Sequence, residues 1–544
     1  VRQVNAFGYR YGEVPLPKLP ETKDTYRVSK TRPVDIKSRP VVLSSLGCHV
    51  AGATMPHGDP QDPMTMKAGV AKRAGSKTPQ FDSNRLAKFR LFVRNFVGTH
   101  LKPLRSDADT SVEAWLQKTD YPQHRRVELL EKWNRIQGKI RPKHRKCKCF
   151  MKDESYPDYK HVRGIYSRSD EFKCRAGPIF KLIEEEVYKL PQFIKHVPVK
   201  DRPAYIKEML YRFTGKYVAT DYTTFEASFV KEIMDSCEFE LYSYMTSVLP
   251  DGPDWLEEMR STLMGMNHCD FKNFWMELDS TRMSGEMCTS LGNGFTNLMV
   301  MMFLCEELGS KVVGVVEGDD GLFRILGLLP TSSDFASLGF TIKLEEHSDL
   351  CSASFCGIIF HPDECINVTD PAKVLCSFGW TTNRYAKCRP RRKLELLRCK
   401  ALSYAWQYPG CPIIQSLAHY GLRMTKNLRN DEMKTFVEKK LVADVYQRRH
   451  LIMVVNDEVQ FKPVGIKTRM LVASKYGISV EMQILIEKYL DEKSDLTHLD
   501  IPGIELLVPR SWIHYWNHYV YPTSLVESGS IPFPTMAGFI SEIL

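Results

Sequence analysis

Residues Glu317–Gly321 read EGDDG and lie between two apolar runs, KVVGVV and LFRIL. Two β-rich runs around a short Gly/Asp turn predict a hairpin. Asp319 and Asp320 would then stand together at one edge of a sheet. Neighbouring carboxylates repel each other unless a positive charge neutralises them. Oxygen ligands suit a hard divalent cation, Mg²⁺ or Mn²⁺. The alternative is a surface hairpin whose turn residues suit I′ geometry.

Two upstream segments carry further chemistry. In KYVATDYTTFEASF, Lys216–Phe229, a β-like run delivers Asp221, and Glu226 follows five positions later. Val230, Ile233, Met234, Cys237, Leu241, Tyr244 and Val248 then recur at helical spacing, so the order is strand, acid, turn, acid, helix. An isolated Asp221 would be read as a helix N-cap or a turn residue. In RMSGEMCTSLGNGFTN, Arg282–Asn297, a small-residue loop at Ser284–Gly285 precedes Thr289 and Asn293, four apart on one helix face. That helix runs on through the apolar stretch Leu298–Cys305 and is therefore expected to be buried. There, Thr and Asn could equally satisfy each other or the backbone.

In this order the segments resemble motifs A, B and C of viral RNA-dependent RNA polymerases. Motif A, D-x4-D, is Asp221-x4-Glu226 here; motif B, SG-x3-T-x3-N, is Ser284, Gly285, Thr289 and Asn293; motif C is Gly318, Asp319 and Asp320. Glu226 departs from the pattern, where Asp is usual. Cys147–Arg168 resembles motif F, the basic finger strands over the nucleotide channel, and Leu338–Phe360 resembles motifs D and E. Outside Lys148–Phe360 there is only weak similarity to positive-strand RNA virus polymerases of the tombus-like kind, which leaves the lineage unplaced.

The resemblance implies template-directed RNA synthesis from NTPs. Two Mg²⁺ ions, with Mn²⁺ as an alternative, would be held by Asp221, Asp319 and Asp320, the last as helper. Lys148, Lys152, Arg163 and Arg168 would neutralise the triphosphate. Glu226, Ser284, Gly285, Thr289 and Asn293 would form the nucleotide pocket, in which Glu226, Ser284, Thr289 and Asn293 would read the ribose 2′-OH. Motif D often carries a Lys that protonates departing pyrophosphate. Counting from Gly339 in a picornavirus-like pattern places that position on His347 rather than Lys343. His347 is the expected general acid, with Lys343, or a mere packing role for His347, as alternatives. Implied partners are the RNA template, nascent RNA and NTPs. Other viral replication proteins and a host membrane, reached through an upstream segment, complete the set. The implied setting is membrane-associated replication complexes in the host cytoplasm.

The elements that must position these residues follow from the rest of the chain. The implied fold class is α+β, a right-hand polymerase whose antiparallel palm sheet is flanked by helices. Residues 1–82, Pro- and Lys/Arg-rich with little periodicity, are expected as an extended arm from fingers to thumb. Residues 83–216 would be fingers including motif F, 217–249 palm, 250–283 a fingers insertion, 284–360 palm, and 361–544 a helical thumb. The net charge of +10 over 544 residues suits a polyanionic partner, and Lys139, Arg141, Lys143, Arg145, Lys146 and Lys148 form one basic run leading into motif F. The 15 cysteines form no disulfide or zinc framework and are expected as reduced core thiols. No run reaches transmembrane length. The chain starts at Val1 rather than Met, which suggests a processed, readthrough or truncated product. The aromatic cluster Trp512, Tyr515, Trp516, Tyr519 and Tyr521 is expected to pack in the thumb core, with base stacking as the alternative. Two other readings remain: a reverse transcriptase, which shares the palm acids, and a catalytically inactive palm protein that only binds RNA.

Overall fold

A computed structural model of the chain describes residues 2–4, 10–13, 18–32, 43–441, 451–455 and 459–520. The central sheet contains β7 (Lys216–Tyr222), β10 (Lys311–Glu317), β11 (Asp320–Leu326) and β12 (Ile342–His347), in the order β10-β11-β7-β12 and antiparallel throughout. Valines, aromatics and isoleucine fill these strands, as a pleated buried surface favours. Side chains alternate between two apolar environments. Val218, Tyr222, Val316 and Phe323 enter the main core; Tyr217, Ala219, Val315 and Leu322 enter a smaller one with Ile194, Ile206 and Phe355. The helix Thr289–Glu307 packs across β10 and β11 and is buried along most of its length, as the apolar run predicts.

A second sheet has five strands: β3 (Arg27–Val28), β5 (Cys147–Met151), β6 (Gly164–Arg168), β8 (Met266–Asp270) and β9 (Trp275–Asp279), ordered β3-β9-β8-β5-β6. The basic hairpin β5–β6 and the segment preceding Ser284 therefore share one sheet. The two smaller pairs are β1 (Arg2–Val4) with β2 (Arg10–Glu13), and β4 (Leu43–Ser45) with β13 (Trp380–Thr382). Helices dominate after Pro371, including Pro390–Gln407, Ile414–Met424 and Val480–Glu492. Residues near the N-terminus bridge the two ends of the molecule. β3 extends the five-stranded sheet, while Leu46, Val50 and Met55 pack into the helical core beside Phe378, Leu417 and Trp512. This part of the chain is not wholly extended: Pro63–Arg73 is a helix, with Asp62 capping the Thr65 N–H.

The expectation for the aromatic cluster resolves toward packing. Trp512 is 1% exposed, and its Nε1–H donates to Pro157 O at 2.6 Å. Tyr515 is buried and donates its hydroxyl to His57 O at 2.9 Å, while Trp516 packs on Trp380 and His49. The side chain of Tyr519, and Tyr521, lie outside the described residues. His57 in turn meets Asp153 at 2.7 Å and Ser155 at 2.9 Å. These contacts clasp the loop after β5 to the helical end of the chain. They help enclose a cavity of about 1320 Å³ lined by Glu154, Lys195, Arg202, Glu317, Trp380 and Lys400, among others. All 15 cysteines are free thiols, and most are buried. Among the described residues, no helix is long and apolar enough to cross a membrane.

The clasp makes a quantitative expectation. Trp512→Ala should cost about 3–5 kcal/mol through lost burial and the cavity it leaves. Tyr515→Phe, which removes one hydrogen bond, should cost about 1 kcal/mol. Urea denaturation measures both; an equal, small loss in the two variants would mean that Trp512 does not anchor the clasp.

Candidate active site

The turn between β10 and β11 has two central residues, Gly318 and Asp319. Gly318 takes φ +62° and Asp319 does not enter the left-handed region, so the turn follows the II′ pattern rather than I′. The side chain of Asn297, one helical turn beyond Asn293, donates from Nδ2 to Asp319 O at 3.1 Å and Gly318 O at 3.3 Å. It ties the turn to the buried helix.

Strand register then gathers charge in one row. Glu317 faces Asp320, Thr220 faces Gly321, and Asp221 faces Lys343. Asp320 precedes Gly321 and Asp221 follows Thr220, so antiparallel pairing brings these two to the same rung. Glu317, Asp320, Asp221 and Lys343 thus cross all four strands in line, their side chains on one face about 5 Å apart. Arg202 pairs with Glu317 at 2.6 Å. Among the described residues, no salt bridge reaches Asp221, Asp319 or Asp320.

Asp319 and Asp320 are open to solvent, yet protein surrounds them on most sides. Desolvation, then Asp319, push the Asp320 carboxyl up to about 6; Glu317 and Asp221 add to this and a hydrogen bond to Cys356 opposes it. Desolvation, then Glu226, raise Asp319, and Arg163 and Arg73 pull it back. Three uncompensated carboxylates are a donor set that fits a hard divalent cation. Among the described residues, however, no three acidic, His or Cys side chains already converge closely enough to hold one. The chemistry of the donors fits, and the site is not pre-formed.

The structure also joins the segment after Asp221 to the loop at Ser284. Ser284 Oγ donates to Glu226 Oε1 at 2.8 Å. Gly285 has φ +116°, and a Cβ there would lie 3.1 Å from Tyr166 O on β6, so only glycine suits this close approach. Thr289 Oγ1 accepts from the Gly285 N–H at 3.3 Å and donates to Met283 O at 3.4 Å, which makes it a brace for the loop. Asn293 is buried, and its Oδ1 accepts from Arg282 Nε at 3.2 Å. A guanidinium can only donate, so Arg282 fixes which end of the amide faces it and leaves Nδ2 as the remaining donor. Arg282 is itself fully buried and paired with Glu238.

The basic residues divide. Lys148 is exposed on the outer face of β5, and Lys152 is half-buried. Arg163 is exposed, bound by both Glu154 oxygens at 2.6 and 2.8 Å, and close enough to influence Asp319. Arg168 does not match the expectation of a free phosphate contact. It is buried and bonded to Glu286 at 2.6 Å and Asn267 at 2.6 Å, so its charge is already used inside the fold. Sequence reasoning missed Arg73, at the end of the helix Pro63–Arg73, whose charge also reaches Asp319. It missed Asn297 as well.

His347 is also misplaced relative to the expectation. It pairs with Tyr217, four rungs from the Asp221–Lys343 pair and so about 13 Å along the strand. Its Nε2 is buried without a hydrogen-bond partner, and burial, then Lys475, lower its pKa. Lys343 instead lies exposed on the acidic rung, its Nζ 2.7 Å from Glu345.

A family model described as viral RNA-dependent RNA polymerase matches residues 97–408, more than half of the chain. The chain belongs to this family. It is also similar to the RNA-directed RNA polymerase of Striped jack nervous necrosis virus, with 26% identity over 218 residues, covering 36% of this chain. The match spans only 20% of that relative's length. The family match contains all three segments with Asp221, Ser284 and Asp319, and it ends within the helix-rich region.

Desolvation and the neighbouring carboxylates have a measurable consequence. The folded-state pKa of Asp320 is raised from 3.8 to about 6, so its contribution to stability is fully present below 3.8 and is lost as pH rises through about 6. Asp320→Asn should therefore stabilise the protein at pH 7 by about 1 kcal/mol, a value discounted for solvent screening at this open position. The gain should vanish by about pH 4. Melting curves across this range without divalent ions check it, and a pH-independent gap would remove the electrostatic assignment.

Proposed function

We propose that this chain is the catalytic core of a positive-strand RNA virus polymerase that adds NMP units to RNA on an RNA template. The observation that carries the reading is the rung Glu317–Asp320–Asp221–Lys343, with Asp319 at its turn, beside the Ser284–Glu226 pair. In this reading 217–249 and 284–360 form the palm, 83–216 and 250–283 the fingers, 361–544 the thumb, and 1–82 the connecting arm. The tombus-like kind is the lineage we favour, and membrane-associated complexes in the host cytoplasm are the setting.

Asp221, Asp319 and Asp320 would hold divalent ions, which when bound supply charge stabilisation to the attacking and leaving oxygens. Lys148, Lys152, Arg163 and Arg73 would neutralise the triphosphate, with Arg168 holding the strand pair in place. The Nδ2 of Asn293 and the Ser284–Glu226 pair would bond the 2′-OH, which is both donor and acceptor. A site that bonds this hydroxyl selects against a substrate lacking it. This favours RNA synthesis over reverse transcription, which commonly relies on a bulky gate. Lys343, in register with Asp221, is the group we assign to protonating the departing pyrophosphate.

Asp221→Asn and Asp319→Asn should each lower NTP incorporation on a primed RNA template about 100-fold or more while leaving RNA binding intact. Wild type should prefer NTP to dNTP in the same assay. Near-normal elongation by either variant, or a preference for dNTP, would defeat the reading. For the proton donor, Lys343→Ala should slow single-nucleotide addition about tenfold or more. His347→Ala should stay within about twofold; the reverse ranking in rapid-quench kinetics would return the role to His347.

A further inference from the structure

The segment 18–32 reaches the heart of the site. Lys23 Nζ donates to Ala227 O at 2.7 Å and to Thr281 Oγ1 at 2.6 Å. Its backbone is fixed at the same place: Lys23 N–H donates to Gly75 O at 2.8 Å, and Tyr26 N–H donates to Lys23 O at 3.0 Å. One ammonium group therefore joins the loop that follows Asp221 to the loop that leads into Ser284.

Both loops need an external tie. Thr224, Ser280 and Thr281 have φ of +53°, +51° and +75°, a region that non-glycine residues enter only when surrounding contacts over-determine them. The loops are already stitched by Thr281 N–H to Phe229 O at 2.8 Å and Arg282 N–H to Glu226 O at 3.2 Å. Lys23 adds a side-chain cross-link between the same two loops, one residue from Glu226 and three from Ser284. The tie is made at a desolvation cost: burial lowers the Lys23 pKa to about 8, and Asp279 at the end of β9 opposes that shift. A tether with no demand for two simultaneous donors would not need a partly desolvated ammonium.

We infer that Lys23 is a positioning residue for sugar selection: by holding Ala227 and Thr281 together it sets the separation of Glu226 and Ser284, and with it the discrimination of NTP from dNTP. The inference rests on the polymerase reading above. It assigns no chemical step to Lys23, whose ammonium bonds Ala227 O and Thr281 Oγ1 rather than the acids of the rung. A lysine that merely secured a loop would affect folding, or all substrates alike. A lysine that sets the ribose-reading geometry affects the substrate bearing the 2′-OH.

The test compares kcat and KM for one NTP and its dNTP on a primed RNA template, using wild type, Lys23→Met, Thr281→Val and the double variant. Lys23→Met should raise KM for NTP and lower the NTP/dNTP ratio of kcat/KM about tenfold, with dNTP parameters and RNA affinity within about twofold of wild type. Thr281→Val should shift the ratio the same way by a smaller factor, and the double variant should match Lys23→Met, because both remove one tie. Equal losses for NTP and dNTP, an unchanged ratio, or additive effects would overturn the inference. If Lys23→Met does not fold, Thr281→Val decides by the same ratio. Wild type that adds no nucleotide would overturn the polymerase reading and this inference with it; active wild type with unaltered variants would overturn this inference alone.

Discussion

Mutual repulsion of carboxylates at one end of a buried antiparallel sheet is the constraint on which the rest of this structure depends. Asp221, Asp319 and Asp320 arrive from two strands and a two-residue turn, with no salt bridge to offset them among the described residues. Such a group survives only if its backbone is held by forces unrelated to the charges. Those forces are visible. Apolar side chains cover both faces of the sheet, the helix Thr289–Glu307 backs it, and Asn297 pins the turn through two carbonyls. Arg202 pairs with Glu317, while Asp221, Asp319 and Asp320 have no such partner among the described residues.

The same division between holding and acting recurs around Asn293. Arg282 and Glu238 form a fully buried pair, an arrangement whose desolvation cost often cancels its attraction. What the pair provides here is orientation: Arg282 presents its Nε to Asn293 and its ring-stacked face to Phe229. Arg168 does comparable work on the strand pair β5–β6 through Glu286 and Asn267. Beside the cavity, the clasp of Trp512, Tyr515 and His57 links distant parts of the chain without a disulfide.

Much of the site was legible because its signals are local. Asp319 and Asp320 are adjacent, the turn glycine precedes them, and Thr289 and Asn293 share a helix face by spacing alone. The helix Pro63–Arg73 was also legible in principle, since Asp62 followed by Pro63 is a start signal, but polar composition obscured it. Asn297 lies four residues after Asn293 on the same helix and could have been found the same way. Arg168 was misread because a basic residue on a basic hairpin looks exposed until Glu286, 118 positions away, is placed against it. No local pattern marks Lys23 or Arg73.

The sequence by itself determined which residue types lie side by side and which face of an element they share, because a turn, a period of two and a period of 3.6 are set within a few residues. It did not determine which rung of one strand meets which rung of another. Period two is unchanged by a slip of two residues, so alternation along Ile342–His347 cannot distinguish Lys343 from Glu345 or His347 as the neighbour of Asp221. Only the tertiary structure decided that register, through burial of Ile342, Tyr222 and Phe340 in a common core. The same holds for every tie made at long range: Lys23 to Thr281, Arg202 to Glu317 and Trp512 to Pro157 join positions whose separation along the chain carries no information about their separation in space.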